Sequence, residues 1–423
     1  MKSVFDDLLE RGFVEQSTAK ELPDLLAHKR VTVYVGFDPT ADSLHLGHLV
    51  PIIALAHFQR VGHKVIIVVG GATGMVGDPS GKSEERKLLT PEQVAKNAEG
   101  VKKQMAKFLD FTGPNAATIL DNNEWISKMT FVDWLREVGK YFTVNYMLAK
   151  ESIKSRLSSE QGISYTEFSY MTMQAYDFLY LFDKFDCTLQ CGGNDQWGNI
   201  TAGIDLVRKT RGAEVYGITF PLVTTASGEK FGKTAGNAVW LDSERTSPYQ
   251  FYQYWIRTDD RDAEYYLKLF TFLTREDIEN ICESHRKVPE EREAQRILAA
   301  EMTRTVHGEE GLRKAHRASE VLFGGEVRGF SDEELADIFA DVPSSSLARS
   351  VLADGLVLID LLKHTGLCSS RGEARRLVHA GGIYVNNRRV SDPMASIAFG
   401  DLASEASLVL RIGKKNYHLV RFI

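Results

Sequence analysis

The chain has 423 residues, 43% of them hydrophobic, and a formal net charge of -6 at pH 7. This length predicts two or three domains, and the acidic balance argues against indiscriminate nucleic-acid binding. No apolar run is long enough to span a membrane, and the N-terminus lacks the apolar core of a signal peptide. The four cysteines include no C-x-x-C pair, so they indicate neither a disulfide framework nor a structural metal, and a reducing cytoplasm fits best.

The first half of the sequence has the pattern of an α/β fold. Residues 31–37 alternate β-branched and aromatic side chains, and residues 64–69 are an apolar run after their initial lysine, so both predict buried parallel strands. The apolar spacing over residues 46–61 predicts the helix that joins them. Further strands are predicted at 117–120, 187–191 and 218–223, and further helices at 166–184 and 196–211. We therefore predict a doubly wound, Rossmann-like parallel-sheet domain over residues 1–225.

The second half changes character. Residues 226–340 begin with a polar, glycine-rich loop and continue as a charged, aromatic helical pattern, which predicts a helical domain. Residues 341–350 contain a proline and several serines and predict a linker. Residues 351–423 predict a small α+β module.

Four glycines, Gly70, Gly71, Gly74 and Gly77, follow the strand over residues 64–69, where an α/β fold lets phosphates approach the backbone. Gly81-Lys82-Ser83 resembles the end of a phosphate loop, but the position five residues before Gly81 is not glycine, so the full motif fails. Tight turns explain these glycines about equally well.

His45 and His48 stand where the first strand passes into its helix, and their spacing places both imidazoles on one side of the helix N-terminus. A metal site would need a third ligand at suitable spacing, which is not evident. Neutral imidazoles beside the positive end of a helix can form hydrogen bonds with an anionic phosphate chain and its ribose. A helix-capping histidine is the simpler explanation of the spacing alone.

Residues 227–236 form a polar segment with two lysines, Lys230 and Lys233, after an apolar strand. A mobile loop of this kind can bring cationic groups to a departing pyrophosphate and stabilise the charge that develops in the transition state. A solvated surface loop is the alternative.

Together the segments His45-Leu46-Gly47-His48 and Lys230-Phe231-Gly232-Lys233-Thr234 resemble the two signatures of class I aminoacyl-tRNA synthetases. Additional segments resemble the bacterial tyrosyl-tRNA synthetase family along nearly the whole chain. These segments are residues 34–40, 74–79, 170–177, 192–199 and His307-Gly308. Two positions depart from the family pattern: Val35 replaces a cysteine of some relatives, and the lysine motif reads K-F-G-K-T instead of K-M-S-K-S.

The resemblance implies that the chain activates tyrosine with ATP and transfers it to the 3′ end of tRNA(Tyr). It implies catalytic roles for His45, His48, Lys82, Arg86, Lys230, Lys233 and Thr234. The implied tyrosine contacts are Tyr34, Asp78, Tyr170, Gln174, Asp177 and Gln196. The implied ATP contacts are Gly36, Asp38, Thr40, Gly193 and Asp195, in addition to His45, His48 and Lys233. We expect Mg²⁺ to accompany ATP and expect no metal held by the protein itself.

The C-terminal module is locally basic and resembles a small RNA-binding domain first known from a ribosomal protein. The residues proposed to contact tRNA are Arg371, Arg375, Arg376, Lys414 and Lys415. A solvated basic face is the alternative. The resemblance also implies a homodimer, and we expect neither a membrane nor DNA as a partner. Two other functions stay open at this point: the similar tryptophan enzyme, and an RNA-binding protein that keeps a synthetase scaffold.

Overall fold

The structure is a computed structural model that describes residues 3–81, 89–158, 162–229, 231–234, 237–340, 342–353, 355–414 and 416–423. The chain forms two compact units. The N-terminal unit comprises residues 1–245 and 256–306, and the C-terminal unit comprises residues 246–255 and 307–423. The domain boundaries proposed after residues 225, 340 and 350 stay predictions.

The strands are β1 (Gln16–Ser17), β2 (Thr32–Phe37), β3 (Lys64–Val69), β4 (Thr118–Asp121), β5 (Cys187–Gly193), β6 (Tyr216–Phe220), β7 (Lys233–Thr234), β8 (Asn237–Ala238), β9 (Ser344–Leu347), β10 (Leu356–Val357), β11 (Ile383–Val385), β12 (Arg388–Arg389), β13 (Ser396–Ile397), β14 (Ser407–Ile412) and β15 (Asn416–Phe422).

The α-helices are α1 (Val4–Arg11), α2 (Leu22–His28), α3 (Leu49–Arg60), α4 (Thr73–Val76), α5 (Pro91–Met105), α6 (Asn123–Ile126), α7 (Phe131–Glu137), α8 (Val144–Leu148), α9 (Glu151–Leu157), α10 (Tyr165–Phe185), α11 (Trp197–Arg211), α12 (Pro248–Ile256), α13 (Asp260–Phe270), α14 (Arg275–Lys287), α15 (Glu293–Val321), α16 (Asp332–Ile338), α17 (Leu358–His364) and α18 (Arg371–His379). Short 3-10 helices cover Leu46–His48, Gly139–Tyr141, Asn194–Gln196, Pro289–Glu291, Arg349–Leu352 and Phe399–Asp401.

The N-terminal unit is built on a six-stranded sheet with the order β1-β6-β5-β2-β3-β4. All neighbouring pairs are parallel except β1 with β6. The order changes direction at β2, where the chain crosses first to β3 and later to β5, so the loops after these strands enclose the ligand crevice of a doubly wound fold. The predicted α/β fold class is confirmed.

Helices cover the sheet because its strands are apolar on both faces. On α3 nearly every side chain is buried, as expected for the helix that returns from β2 to β3. On the face that carries Tyr34, α10 and α11 pack against the strands and against each other. Helix α10 begins at a cap in which Ser164 Oγ accepts the N–H of Glu167, and it ends before Asp186, whose φ is 50°.

The C-terminal unit contains a five-stranded sheet with the order β12-β11-β14-β15-β9. Strand β9 lies within the stretch predicted as a linker, and it pairs in parallel with β15. Helices α17 and α18 pack on the sheet through an apolar core that includes Leu361, Val378 and Leu410. Helix α15 contains one non-helical residue, Gly308, with φ 73° and ψ 179°, close to the point where the chain passes between the units.

Candidate active site

The carboxyl ends of β2, β3, β4 and β5 carry most of the polar side chains that the sequence singled out. Asp38 follows β2, Gly70 follows β3 and Gly193 ends β5. Parallel strands bring these ends to one edge of the sheet, where open α/β folds bind their ligands.

Tyr34 and Asp177 are both buried, and the charge of Asp177 acts on the Tyr34 phenol. Tyr34 is 1% exposed, and its ring lies 5.4 Å from that of Phe178, measured between centroids. Within the part of the chain that the structure describes, the Tyr34 hydroxyl is buried without a hydrogen-bond partner. A buried hydroxyl costs free energy until it is paired, so this group is available for a ligand.

Asp177 is 4% exposed and is held by two donors. Its Oδ1 accepts the indole N–H of Trp125 at 2.8 Å, and its Oδ2 accepts Nδ2 of Asn122 at 3.0 Å. Burial raises the pKa of the Asp177 carboxyl to about 7, although the bonds from Asn122 and Trp125 lower it. Burial, followed by the charge of Asp177, raises the pKa of the Tyr34 phenol well above its ordinary value.

Asn122 and Trp125 were not identified from the sequence. Asn122 directly follows β4, and ligands of parallel sheets bind at the carboxyl ends of the strands. Its position after a predicted strand could therefore have indicated Asn122 as a site residue. Trp125 had no such signal, because it reaches Asp177 from the short helix α6 while its ring stacks on Tyr180 at 4.4 Å between centroids.

A second set of hydrogen bonds surrounds Asp38. Its Oδ1 accepts the Thr73 hydroxyl at 2.7 Å, and its Oδ2 accepts the Tyr170 hydroxyl at 2.8 Å. Thr73 Oγ1 also accepts Nδ2 of Asn122 at 2.9 Å. Gly70 makes room for this group, because a Cβ there would stand 2.0 Å from Asp38 Oδ1. The network therefore joins Asp177 to Asp38 and Tyr170 through Asn122 and Thr73.

Three of the predicted tyrosine contacts, Asp78, Gln174 and Gln196, lie in one hydrogen-bonded group with Asn199. Asp78 Oδ2 accepts Nε2 of Gln196 at 2.7 Å. Nδ2 of Asn199, which lies in the 192–199 segment but was given no role from the sequence, donates to Oε1 of Gln196 at 3.1 Å and to Oε1 of Gln174 at 3.0 Å. Burial, and then the charges of Asp38 and Asp78, raise the pKa of the Tyr170 phenol. Tyr170 therefore stays a neutral hydroxyl between carboxylates.

His45 and His48 are close together, with ring centroids 4.0 Å apart. Nδ1 of His45 accepts the N–H of Gly47 at 3.1 Å, and Nδ1 of His48 accepts the N–H of His45 at 3.2 Å. His45 therefore caps the 3-10 turn, as the simpler explanation supposed. Because both Nδ1 atoms accept, a neutral ring of either residue carries its proton on Nε2 and can donate from that atom.

The lysine segment, residues 227–236, contacts other parts of the same unit through Phe231 and Gly232. The Phe231 ring stacks on Phe270 at 4.9 Å between centroids. Further along, the N–H of Leu46 donates to the carbonyl of Val239 at 3.0 Å. Gly232 has a φ of 78°, and a Cβ there would stand 3.0 Å from Leu46 Cβ. The fold thus brings Leu46 and Gly232, one from each signature segment, close together.

Not every predicted site residue can be placed. Lys233 is described and exposed. Lys82, Arg86, Lys230 and the Thr234 side chain lie outside the described residues.

The predicted ATP contacts Gly36, Thr40, Gly193 and Asp195 lie at the same sheet edge. Gly193 approaches Asp195 so closely that a Cβ on the glycine would stand 2.6 Å from Oδ1 of Asp195. Asp195 and Gly81 line an open cleft of about 740 Å³ with Trp197 and Lys150. Gly36 lies in β2 and is exposed, and the N–H of Thr40 donates to the carbonyl of Asp38 at 2.8 Å.

Among the described residues, no group of three or more His, Cys, Asp or Glu side chains could hold a metal ion. In the same part of the chain, no helix has both the length and the apolar character needed to cross a membrane.

The basic residues of the C-terminal unit differ in their surroundings. Arg375, Arg376 and Lys414 are exposed. Arg371 is exposed as well but pairs with Asp360. Arg411, a further cation of this unit, is buried over the ring of Tyr384, and Lys415 lies outside the described residues.

Two family models match the chain. A family model described as class I tRNA synthetases (W and Y) matches residues 26–324, and a tyrosine–tRNA ligase C-terminal domain model matches residues 334–420. The tyrosine–tRNA ligase of Roseiflexus castenholzii is 52% identical over 100% of both chains. That of Geobacillus stearothermophilus is 50% identical over 98% of this chain and 99% of its own.

A solved structure gives the same result. The C-terminally truncated mitochondrial tyrosyl-tRNA synthetase of Aspergillus nidulans is 33% identical, with a TM-score of 0.70 over 76% of this chain and 95% of its own. Fold and site therefore define a class I tRNA synthetase of the tryptophan and tyrosine group. The sequence identity of 50% or more to tyrosine–tRNA ligases, which extends over nearly the full length, favours tyrosine over tryptophan. The chain belongs to the tyrosine–tRNA ligase family.

Proposed function

We propose that the chain activates L-tyrosine with ATP, releasing pyrophosphate, and transfers the tyrosyl group from tyrosyl-adenylate to the 3′ end of tRNA(Tyr). The proposal rests on two buried residues, Asp177 and Tyr34. Two N–H donors fix the Asp177 carboxyl, and the Tyr34 hydroxyl has no partner among the described residues. Such a pocket suits an aromatic ring that ends in a hydroxyl.

The pair explains how tyrosine is distinguished from phenylalanine. The substrate phenol donates to the Asp177 carboxylate and accepts from the Tyr34 hydroxyl. Phenylalanine leaves both groups unpaired in a desolvated site, which is costly. Tyrosyl-tRNA synthetases are themselves the standard example of such selectivity, rejecting phenylalanine by about 10⁵ without editing, a value that belongs to the enzyme class and does not follow from this pocket.

The neighbouring groups hold the rest of the reactants. Asp78, Tyr170 and Gln174 bind the substrate ammonium, and Gln196 lies near its carboxylate. A carboxylate with neutral acceptors suits an ammonium group. The nucleotide is assigned to the remaining residues of the sheet edge: Gly36, Asp38 and His48 along the nucleotide, Gly193 and Asp195 at the ribose, and Thr40 and His45 at the terminal phosphate.

The tyrosine carboxylate attacks the α-phosphorus, the bond to the bridging oxygen breaks, and pyrophosphate leaves with the electron pair. No protein nucleophile is required, because positioning and charge stabilisation lower the barrier. Lys82, Arg86, Lys230, Lys233 and Thr234 are proposed to contact the departing pyrophosphate. Mg²⁺ is proposed to enter on the ATP phosphates, where it would neutralise part of their charge.

The C-terminal unit is proposed to bind the tRNA through exposed cations. Arg375, Arg376 and Lys414 are exposed and are proposed to contact phosphates. Arg371 and Lys415 are proposed to contact the tRNA as well. Phosphate contacts give affinity that falls with salt. We also propose that the enzyme works in the cytoplasm, which agrees with four cysteines that are all free.

A homodimer is proposed as the working assembly. Exposed apolar side chains are concentrated on α7 and α8, including Phe131, Val132 and Val144, at 65%, 61% and 60% exposure. Apolar surface of this kind marks protein contacts. Sedimentation of the Phe131→Asp variant beside wild type tests this assignment, and an unchanged dimer would remove α7 from the interface.

ATP–pyrophosphate exchange without tRNA, with each amino acid in turn, tests the proposed reaction. Exchange with tyrosine alone supports the proposal. Exchange with tryptophan instead would contradict the pocket assignment, and no exchange with any amino acid would contradict the reaction itself.

A further inference from the structure

Trp240 is a half-buried residue of the N-terminal unit that lies beyond the lysine segment and opposite His45. The two residues form an isolated antiparallel β-bridge. Two backbone hydrogen bonds, of 3.0 Å and 2.8 Å, flank the bridge and join Leu46 to Val239 and Leu241 to Leu44. Because these bonds lie on either side of the bridge, His45 and Trp240 are a non-hydrogen-bonded pair, the arrangement in which opposite side chains come closest.

The indole of Trp240 packs on the imidazole of His45. Their ring centroids are 5.9 Å apart and their planes meet at 70°, an edge-to-face arrangement that aromatic pairs favour. The ring of His48 lies beside the same imidazole, with centroids 4.0 Å apart. Nδ1 of His45 accepts the N–H of Gly47 at 3.1 Å. The His45 ring is therefore oriented by its own turn and by the strand segment that carries Trp240.

Arg245 supports the Trp240 ring in turn. Cζ of its guanidinium lies 4.5 Å from the centroid of that ring, within the range of a cation–π contact. The same guanidinium pairs with the carboxylate of Asp42, on the loop that leads to His45. The two side chains of this pair are 39% and 38% exposed, so the ion pair itself contributes little to stability. It does hold the cation over the indole.

The role assigned to His45 requires a ring of fixed orientation. Since Nδ1 accepts the N–H of Gly47, a neutral imidazole offers the proton on Nε2 to a phosphate oxygen, and a tilt of the ring redirects that donor. A misplacement of about 1 Å in a reacting group can lower a rate by about 10². Contacts that fix the ring therefore affect the rate without contacting the reactants.

We propose that Trp240 is a positioning residue for His45, and that the ion pair between Arg245 and Asp42 holds Trp240 in place. This inference rests on the proposed function, because that function assigns His45 to the terminal phosphate of ATP. The contacts run in one line from Asp42 through Arg245 and Trp240 to the imidazole.

Tyrosine-dependent pyrophosphate exchange by the full-length protein tests the inference. Trp240→Leu should lower kcat about tenfold, within the loss expected for a displaced reacting group, while the Kd for tyrosine stays unchanged. Trp240→Phe should recover most of the rate, because an aromatic ring remains. Arg245→Gln should lower kcat about threefold, the size expected for one exposed cation–π contact. Arg304→Gln is the matched control, since Arg304 pairs with Glu301 in the same unit at 41% and 33% exposure, and it should leave the rate unchanged.

A double-mutant cycle distinguishes positioning from a general structural role. In a His45→Ala protein, Trp240→Leu should cause almost no further loss of kcat, because the group through which Trp240 acts is already absent. A further tenfold loss in that protein would overturn the inference, as would a wild-type rate or weakened tyrosine binding in Trp240→Leu. If Trp240→Leu does not fold, Arg245→Gln at its exposed side chain provides the same cycle with His45→Ala. A wild-type rate in His45→Ala alone would contradict the role assigned to His45, and no exchange by the wild-type protein would contradict the proposed function itself.

Discussion

The side-chain amide of Asn122 donates a hydrogen bond to Oδ2 of Asp177 over 3.0 Å. The amide is itself fixed, because its Oδ1 accepts the N–H of Ala72 at 2.8 Å and its Nδ2 also reaches Thr73. The orientation of the Asp177 carboxyl therefore depends on Asn122, which directly follows β4.

Asn122→Ala should raise the KM for tyrosine about tenfold, because a hydrogen bond to a charged group contributes roughly 1.5 to 3 kcal/mol. Pyrophosphate exchange at varied tyrosine concentration measures the effect. Asn123→Ala, at the exposed next position, is the control. Equal KM values in both variants would show that Asp177 needs no support from Asn122.

The raised pKa of Asp177 predicts a pH dependence of stability. The folded-state pKa is about 7 and the ordinary value is 3.8, so between these values the folded state holds more protons than the unfolded state. Stability from this group therefore falls as pH rises from about 4 to about 7. Thermal unfolding at several pH values should show wild type becoming less stable relative to Asp177→Asn across that interval. A difference in Tm that is constant with pH would contradict the prediction.

Tyr34→Phe should have opposite effects on stability and on selectivity. Removal of an unpaired buried hydroxyl should leave the free protein as stable as wild type or slightly more stable. Discrimination against phenylalanine should nevertheless fall by about 1 to 3 kcal/mol, because the substrate phenol loses one buried partner. The ratio of kcat/KM for tyrosine and phenylalanine in pyrophosphate exchange measures the loss. Unchanged selectivity would remove Tyr34 from the pocket.

Lys233→Ala should slow adenylate formation while tyrosine affinity stays nearly intact, because the proposed contact is made to the leaving group in the transition state. Single-turnover kinetics and equilibrium binding of tyrosine measure the two quantities. Lys414→Ala, at an exposed lysine of the other unit, should leave both unchanged. A large loss of tyrosine binding in Lys233→Ala would contradict the assignment.

The sequence predicted the parallel sheet well because its strands are buried on both faces and read as continuous apolar runs. Strand β3 was predicted with the bounds that the structure gives, and β2 differs by one residue. The short strand β9 was missed, because its serines carry no apolar pattern and its pairing with β15 joins distant parts of the chain.

The site residues were predicted by resemblance more than by pattern. Asp177 alone has the spacing of any helical residue, and only the folded chain shows it buried against Asn122 and Trp125. The burial of Arg411 could not be predicted either, because local charge counts do not reveal that its guanidinium lies 3.9 Å from the Tyr384 ring centroid.

The continuous hydrogen bonds from Asp177 through Asn122 and Thr73 to Asp38 bear on attempts to redesign the amino-acid preference. Neighbouring positions in one network do not contribute additively. A library that varies Asp177 alone would leave the buried N–H donors of Asn122 and Trp125 without an acceptor. Most of its members would therefore be destabilised before their substrate preference could be measured. Variants with a new amino-acid preference should be found only in libraries that vary Asp177, Asn122 and Trp125 together.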